Sequence, residues 1–139
     1  MRLSTTFRLV LLVATLGVSA CETQQVPTRP QANELVGSWR VITERVAATG
    51  VEIIWKIDDR HIVITDGDGN EISRSEYRID PSQKPKHINM TIRDDKIVED
   101  RPGIYQIADG RLRLTFSVDG SARPTKFDDR YALMLNRID

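Results

Sequence analysis

The segment Arg111-Leu112-Arg113-Leu114-Thr115-Phe116-Ser117-Val118 alternates polar and apolar residues without a break. Successive side chains of a strand point to opposite faces, so Leu112, Leu114, Phe116 and Val118 share a buried face, while Arg111, Arg113, Thr115 and Ser117 meet water. The pattern recurs upstream. Val51, Ile53, Trp55 and Ile57 stand against Glu52, Lys56 and Asp58, and Ile88, Met90 and Ile92 alternate with His87, Asn89, Thr91 and Arg93. One apolar and one polar face per strand is the mark of antiparallel sheet.

Working outward from these runs, the chain after Leu35 consists of short period-two stretches separated by Gly, Asp, Asn and Pro clusters, and no amphipathic helix stands out. Candidate strands cover 35–46, 51–58, 61–66, 71–79, 87–93, 103–107, 111–118 and 131–137, a count of eight. The turn-forming segments 67–70, 94–96 and 108–110 join neighbours as hairpins, so successive strands are expected to pair antiparallel in up-and-down order. Closing the sheet removes its exposed edges. The expectation is an all-β, eight-stranded antiparallel up-and-down barrel over 35–139, with an interior just wide enough to be filled by side chains or to hold one small ligand.

The first 20 residues differ in kind. They hold Arg2 and Arg8 but no acid, followed by the apolar run 9–18 and the small residues Ser19 and Ala20. These are the three regions of a secretory signal, and the apolar run is too short to cross a bilayer, which takes about 20 residues. The remaining chain carries 18 basic against 20 acidic groups, which gives no electrostatic reason to bind nucleic acid. Cys21 is the only thiol, so an exported domain can form no internal disulfide.

Val18-Ser19-Ala20-Cys21 resembles the bacterial lipobox. The resemblance implies cleavage before Cys21, acylation of its thiol and attachment to a bacterial membrane in the cell envelope, on the periplasmic side. Ordinary signal cleavage after Ala20 is the competing reading of the same residues. Residues 21–34 are then a lipidated cysteine and a polar tether, whose prolines favour extended conformers of about 3.1 Å per residue and a reach of about 40 Å.

Two further resemblances concern the barrel. Gly37-Ser38-Trp39 is similar to the Gly-x-Trp signature of lipocalins, and Arg137 lies where that family places an arginine against the tryptophan. A closed barrel brings first and last strands together, and a guanidinium can cap an indole face. The alternative is an ordinary core Trp39 and a solvated Arg137. More extensively, the stretches 35–39, 77–88, 103–107 with 112–114, 123–127 and the terminal Leu-Met-Leu-Asn-Arg resemble an uncharacterised bacterial lipocalin-like domain family abundant in planctomycetes. The resemblance implies the fold; no activity is established for that family.

Candidate chemistry is sparse. The segment 66–76 is similar to a calcium loop with one residue missing, but it lacks the sharp-turn glycine and flanking helices, so a hairpin turn is preferred. His61 and His87 both open strands, and with Cys21 acylated no metal site is expected. The pairs Asp58-Asp59, Asp94-Asp95 and Asp128-Asp129 lie at strand ends, where acids are common turn residues, and Ser75 and Ser117 have no evident base. No cofactor and no catalysis are expected. The binding expectation rests on inward Trp55, Met90 and Phe116 for a small apolar or amphipathic ligand. An envelope protein bound by a solid barrel is the alternative. Lys84, Lys86 and Arg123 form a candidate anion site at one rim, against the simpler reading of Lys84-Pro85-Lys86 and Arg123-Pro124 as loop residues.

Overall fold

The computed structural model describes residues 33–139. The expected signal sequence, Cys21 and all of the expected tether but Asn33 and Glu34 lie outside the described residues. The barrel is built from β1 (Gly37–Val41), a one-turn helix α1 (Glu44–Ala47), β2 (Ile53–Ile57), β3 (His61–Asp66), β4 (Glu71–Asp80), β5 (Lys86–Asp94), β6 (Ile97–Ala108), β7 (Arg111–Phe116) and β8 (Leu133–Arg137). Every strand pairs antiparallel with its sequence neighbour, and β8 returns to β1, closing an eight-stranded barrel. All eight strands, their closure and the buried cluster described below fall among these residues.

The registers fix which side chains face inward. Trp39 opposes Trp55 across β1–β2, Trp55 opposes Ile64, Tyr77 opposes Met90, Ile88 opposes Gly103, and Leu112 opposes Leu135. Trp39, Trp55, Ile57, Ile62, Tyr77, Ile88, Met90, Tyr105, Leu112, Leu114 and Leu135 form one buried cluster. The middle of the barrel is therefore a packed core.

Several boundaries differ from the sequence expectation. The first strand stops at Val41 because the Thr43 hydroxyl accepts the Met134 N–H at 2.9 Å and the chain turns into α1. The sixth strand begins at Ile97, well before Gly103, and the last begins at Leu133. Val118 does not continue the inward row: β7 ends at Phe116 and Val118 is exposed. Asn33 and Glu34, assigned to the tether, belong with the barrel, because Asn33 Nδ2 donates to the Tyr77 hydroxyl at 2.6 Å and Glu34 binds Lys86 and Tyr105.

The long connection 117–132 folds back over the outer wall. Arg123 donates to the carbonyls of Ile88 (3.0 Å) and Gly103 (2.6 Å), Arg113 stacks on the Phe127 ring at 4.8 Å, and Arg113 also pairs with Asp129. Ile104 and Thr115, which alternation turns outward, are buried there.

Candidate functional site

The two ends of the barrel are built differently. At one end the chain from Asn33 to Val36 runs beneath the core as a plug. Leu35 and Trp39 have no exposed surface, and Trp39 Nε1–H donates to the Leu35 carbonyl at 2.8 Å. Arg137 lies over the Trp39 ring at 4.3 Å, with its Nη atoms donating to the carbonyls of Val36 (3.1 Å) and Glu34 (3.0 Å). Gly37 makes this approach possible. Its φ of +141° disfavours any side chain, and a Cβ there would lie 2.5 Å from Arg137 Nη1.

Hydroxyls complete the plug. Tyr77 donates to the Asp58 carbonyl at 2.6 Å, and Tyr105 donates to Glu34 Oε1 at 3.0 Å, where Lys86 Nζ also binds at 2.5 Å. Burial pushes the Tyr77 hydroxyl up to about 12, and burial with the neighbouring Glu34 carboxylate raises Tyr105 as well. A raised folded-state pKa leaves the stabilisation whole below the usual tyrosine value of about 10 and removes it as pH climbs through the folded value. Tyr77→Phe is expected to cost about 1–3 kcal/mol at pH 8, because the Asp58 carbonyl and the Asn33 amide lose a partner. It should also flatten the alkaline fall in stability. Denaturant midpoints measured across the alkaline range for both proteins check this, and parallel slopes would remove Tyr77 from the account.

The opposite end is a mouth. Exposed apolar side chains stand in or beside all four connections there: Val51 in β1–β2, Ile72 at the start of β4, Ile97 and Val98 at the start of β6, and Val118 and Tyr131 in β7–β8. They range from 51% exposed at Val51 to 76% at Val118. At the plugged end the connections 58–60, 81–85 and 109–110 carry Asp, Arg, Pro, Ser, Gln, Lys and Gly, and among the described residues the only large apolar side chains exposed there are Val36 and Ile138 beside the ends of the barrel chain. Inside the mouth, Ile53, Ile64, Ile92, Phe116 and Leu133 are only partly buried against the core. Between α1 and the strand ends lies a cleft of about 470 Å³ lined by Thr43, Arg45, Val46, Thr49, Val51, Ile53 and Leu133. Two charges of the inward β6 row, Glu99 and Arg101, pair with each other at 3.0 Å.

The expected site residues distribute unevenly over this frame. Trp55 and Met90 face inward in the filled middle, each under a tenth exposed, whereas Phe116 sits at the partly open mouth. The rim site does not form. Lys86 is tied to Glu34 at the plug, Arg123 is anchored on sheet carbonyls on the outer wall, and Lys84 stands exposed in the β4–β5 connection, so the three cations do not converge. The segment 66–76 is a hairpin in which the Asp66 carboxylate accepts the N–H groups of Asp68 (3.0 Å) and Asn70 (2.8 Å), and these bonds with the Asn70 side chain hold its pKa below the usual range. His61 Nδ1 lies 3.4 Å from Asp58 at a strand start, and among the described residues no group of three His, Cys, Asp or Glu is placed to hold a metal. The apolar rim was not anticipated. Its signal was the pair Ile97-Val98 directly after a turn, outside any alternation.

No protein-family model matches the chain, and neither a curated protein nor a solved structure is significantly similar to it.

Proposed function

We propose that this chain is an envelope lipoprotein, anchored through an acylated Cys21, whose lipocalin-like barrel is a non-catalytic binding module for a small apolar or amphipathic molecule taken at the mouth. The observation that carries the reading is the asymmetry of the barrel. One end is plugged and bordered by polar turns, while every connection at the other presents apolar surface around partly exposed Ile53, Phe116 and Leu133. Ligand sites are concave, largely apolar and about 300–1,000 Å³ in volume, a range that includes the cleft at α1. The filled middle keeps a ligand near the rim, so Phe116, Ile53 and Leu133 take the contact role first assigned to Trp55 and Met90.

A second reading, docking of an envelope protein on the rim, is favoured by the packed core and by Ile97 and Val98 standing outside the cleft. One experiment separates the two. The barrel unit, residues 33–139, is titrated with 1-anilinonaphthalene-8-sulfonate and with palmitate. Saturable binding that Ile53→Gln weakens about tenfold is expected, the cost of a polar group in an apolar contact being about 1–3 kcal/mol. Absence of saturable binding by either probe would move the assignment to the protein-docking reading. An unmodified Cys21 in protein extracted from the envelope would end the anchoring part.

A further inference from the structure

The outer wall of β4, β5 and β6 carries a groove of about 800 Å³ that shares only Val98 with the mouth rim. Its floor consists of outward side chains arranged in rows by the strand registers. Arg78 opposes Asn89, which opposes Pro102; Glu76 opposes Thr91, which opposes Asp100; and Arg93 opposes Val98. Arg60 stands beside the first row, because its carbonyl accepts the Tyr77 N–H at 2.9 Å. On the far side Arg123 donates to Asn89 Oδ1 at 2.6 Å while its other nitrogen is fixed to two sheet carbonyls, so that wall is held in place.

The charges are therefore sorted along the groove. One end holds Arg60, Arg78 and Arg123, the middle holds the acceptors Glu76 and Asp100 with Thr91, and the other end holds Arg93. Among the described residues, the Arg60 and Arg78 guanidinium groups have no hydrogen-bond or ion-pair partner, and Arg93 has only a long contact to Glu76 at 3.4 Å. Asn89 and Arg93 lie four residues apart on β5, about 13 Å of backbone at about 3.3 Å per residue, with the Arg93 side chain leaning toward Glu76. A ligand matching this order is anionic at its ends and rich in hydroxyl donors between them, since carboxylates can only accept and guanidinium groups can only donate. Planar guanidinium forks suit oxyanions in particular.

We infer that this groove binds an acidic oligosaccharide, with its carboxylates on the arginine ends and its sugar hydroxyls on Glu76 and Asp100. A bare anion fits less well, because the two acids in the floor repel it unless hydroxyls intervene. An apolar ligand has no comparable partner here. The site stands independently of the mouth, so each reading can fail without the other.

The test uses the full-length protein carried in phosphatidylcholine nanodiscs and isothermal titration with trigalacturonate. Saturable binding is expected, weakened at least tenfold in Arg60→Gln/Arg78→Gln, and maltotriose should give no signal. Both substituted side chains are exposed and, among the described residues, unpartnered, so an unchanged unfolding midpoint and unchanged mouth-probe affinity should accompany the loss. Equal binding of trigalacturonate to wild type and variant, or no binding at all, would overturn the inference. So would inorganic phosphate binding as tightly as trigalacturonate, which would reduce the groove to a charge patch. Capture of phosphatidylglycerol vesicles through Arg60 and Arg78, without trigalacturonate binding, would overturn it in favour of a membrane face.

Discussion

Trp39→Ala is expected to lose about 3–5 kcal/mol of folding stability, the range for deleting a large buried aromatic side chain. The indole has no exposed surface, and three features meet on it: the Leu35 carbonyl on Nε1–H, the Arg137 guanidinium over its face, and Trp55 opposite on β2. Removing the ring leaves a cavity that the closed sheet cannot collapse, and it also frees the plug that Leu35 anchors. Arg137→Ala should cost less, about 0.5–2 kcal/mol, because the guanidinium is partly exposed and its stacking is the main loss. The carbonyls of Glu34 and Val36 can then turn to water. Denaturant unfolding of both single variants and the double variant measures the coupling. Additive effects would show that the stack contributes nothing, leaving only the cavity. Arg137→Lys is informative too: an ammonium keeps the charge but cannot span two carbonyls while lying flat on an indole.

The sequence pattern revealed the barrel where strands follow the rule of one apolar and one polar face. β7 and β5 are legible because their inward rows, Leu112, Leu114 and Phe116, and Ile88, Met90 and Ile92, are wholly apolar. The first half of β6 was not, for a physical reason. Its inward row runs Glu99, Arg101, Gly103, and the charges are tolerated because they lie at the mouth and pair with each other. Pro102, which has no N–H to donate, also lies in this half. Its carbonyl accepts the Ser117 N–H at 2.8 Å, so Pro102 faces the β7 side just beyond the last β6–β7 pair, and its missing N–H costs no bond to β5. Val118 misled in the opposite direction, since alternation persists in the sequence past the point where the chain leaves the sheet. Gly37, Trp39 and Arg137 could be singled out from their types and their places at the two ends of the pattern. Arg123 was picked out as a cation, but its anchoring role was not legible: it rests on backbone carbonyls 35 and 20 residues away and on Asn89, which no local pattern records. The apolar rim was hidden for a similar reason, because exposure of Ile72, Ile97 and Val118 follows from which end of the barrel each turn occupies.

Gly103→Ala should destabilise by about 1–3 kcal/mol, the usual cost of overfilling a well-packed site, and Gly103→Val by more. Gly103 faces inward between Ile88 on β5 and Phe116 on β7, and the Phe116 ring covers it as cross-strand aromatics do over a glycine. A Cβ at this position would lie 2.6 Å from Phe116 Cδ1 and 2.7 Å from the Thr115 carbonyl oxygen. The two obstacles differ in kind. The ring can swing toward the mouth, but the carbonyl belongs to the β7 backbone and can yield only by shifting the strand. Adding Phe116→Leu to Gly103→Ala should therefore recover part of the loss and leave the remainder to the carbonyl. Full recovery would show that the ring alone excludes a side chain. Because Phe116 is also a mouth residue, displacing its ring alters the surface offered to an apolar ligand. Gly103→Ala should then change probe affinity at the mouth as well as stability, while Tyr77→Phe, acting at the plug, should change stability alone.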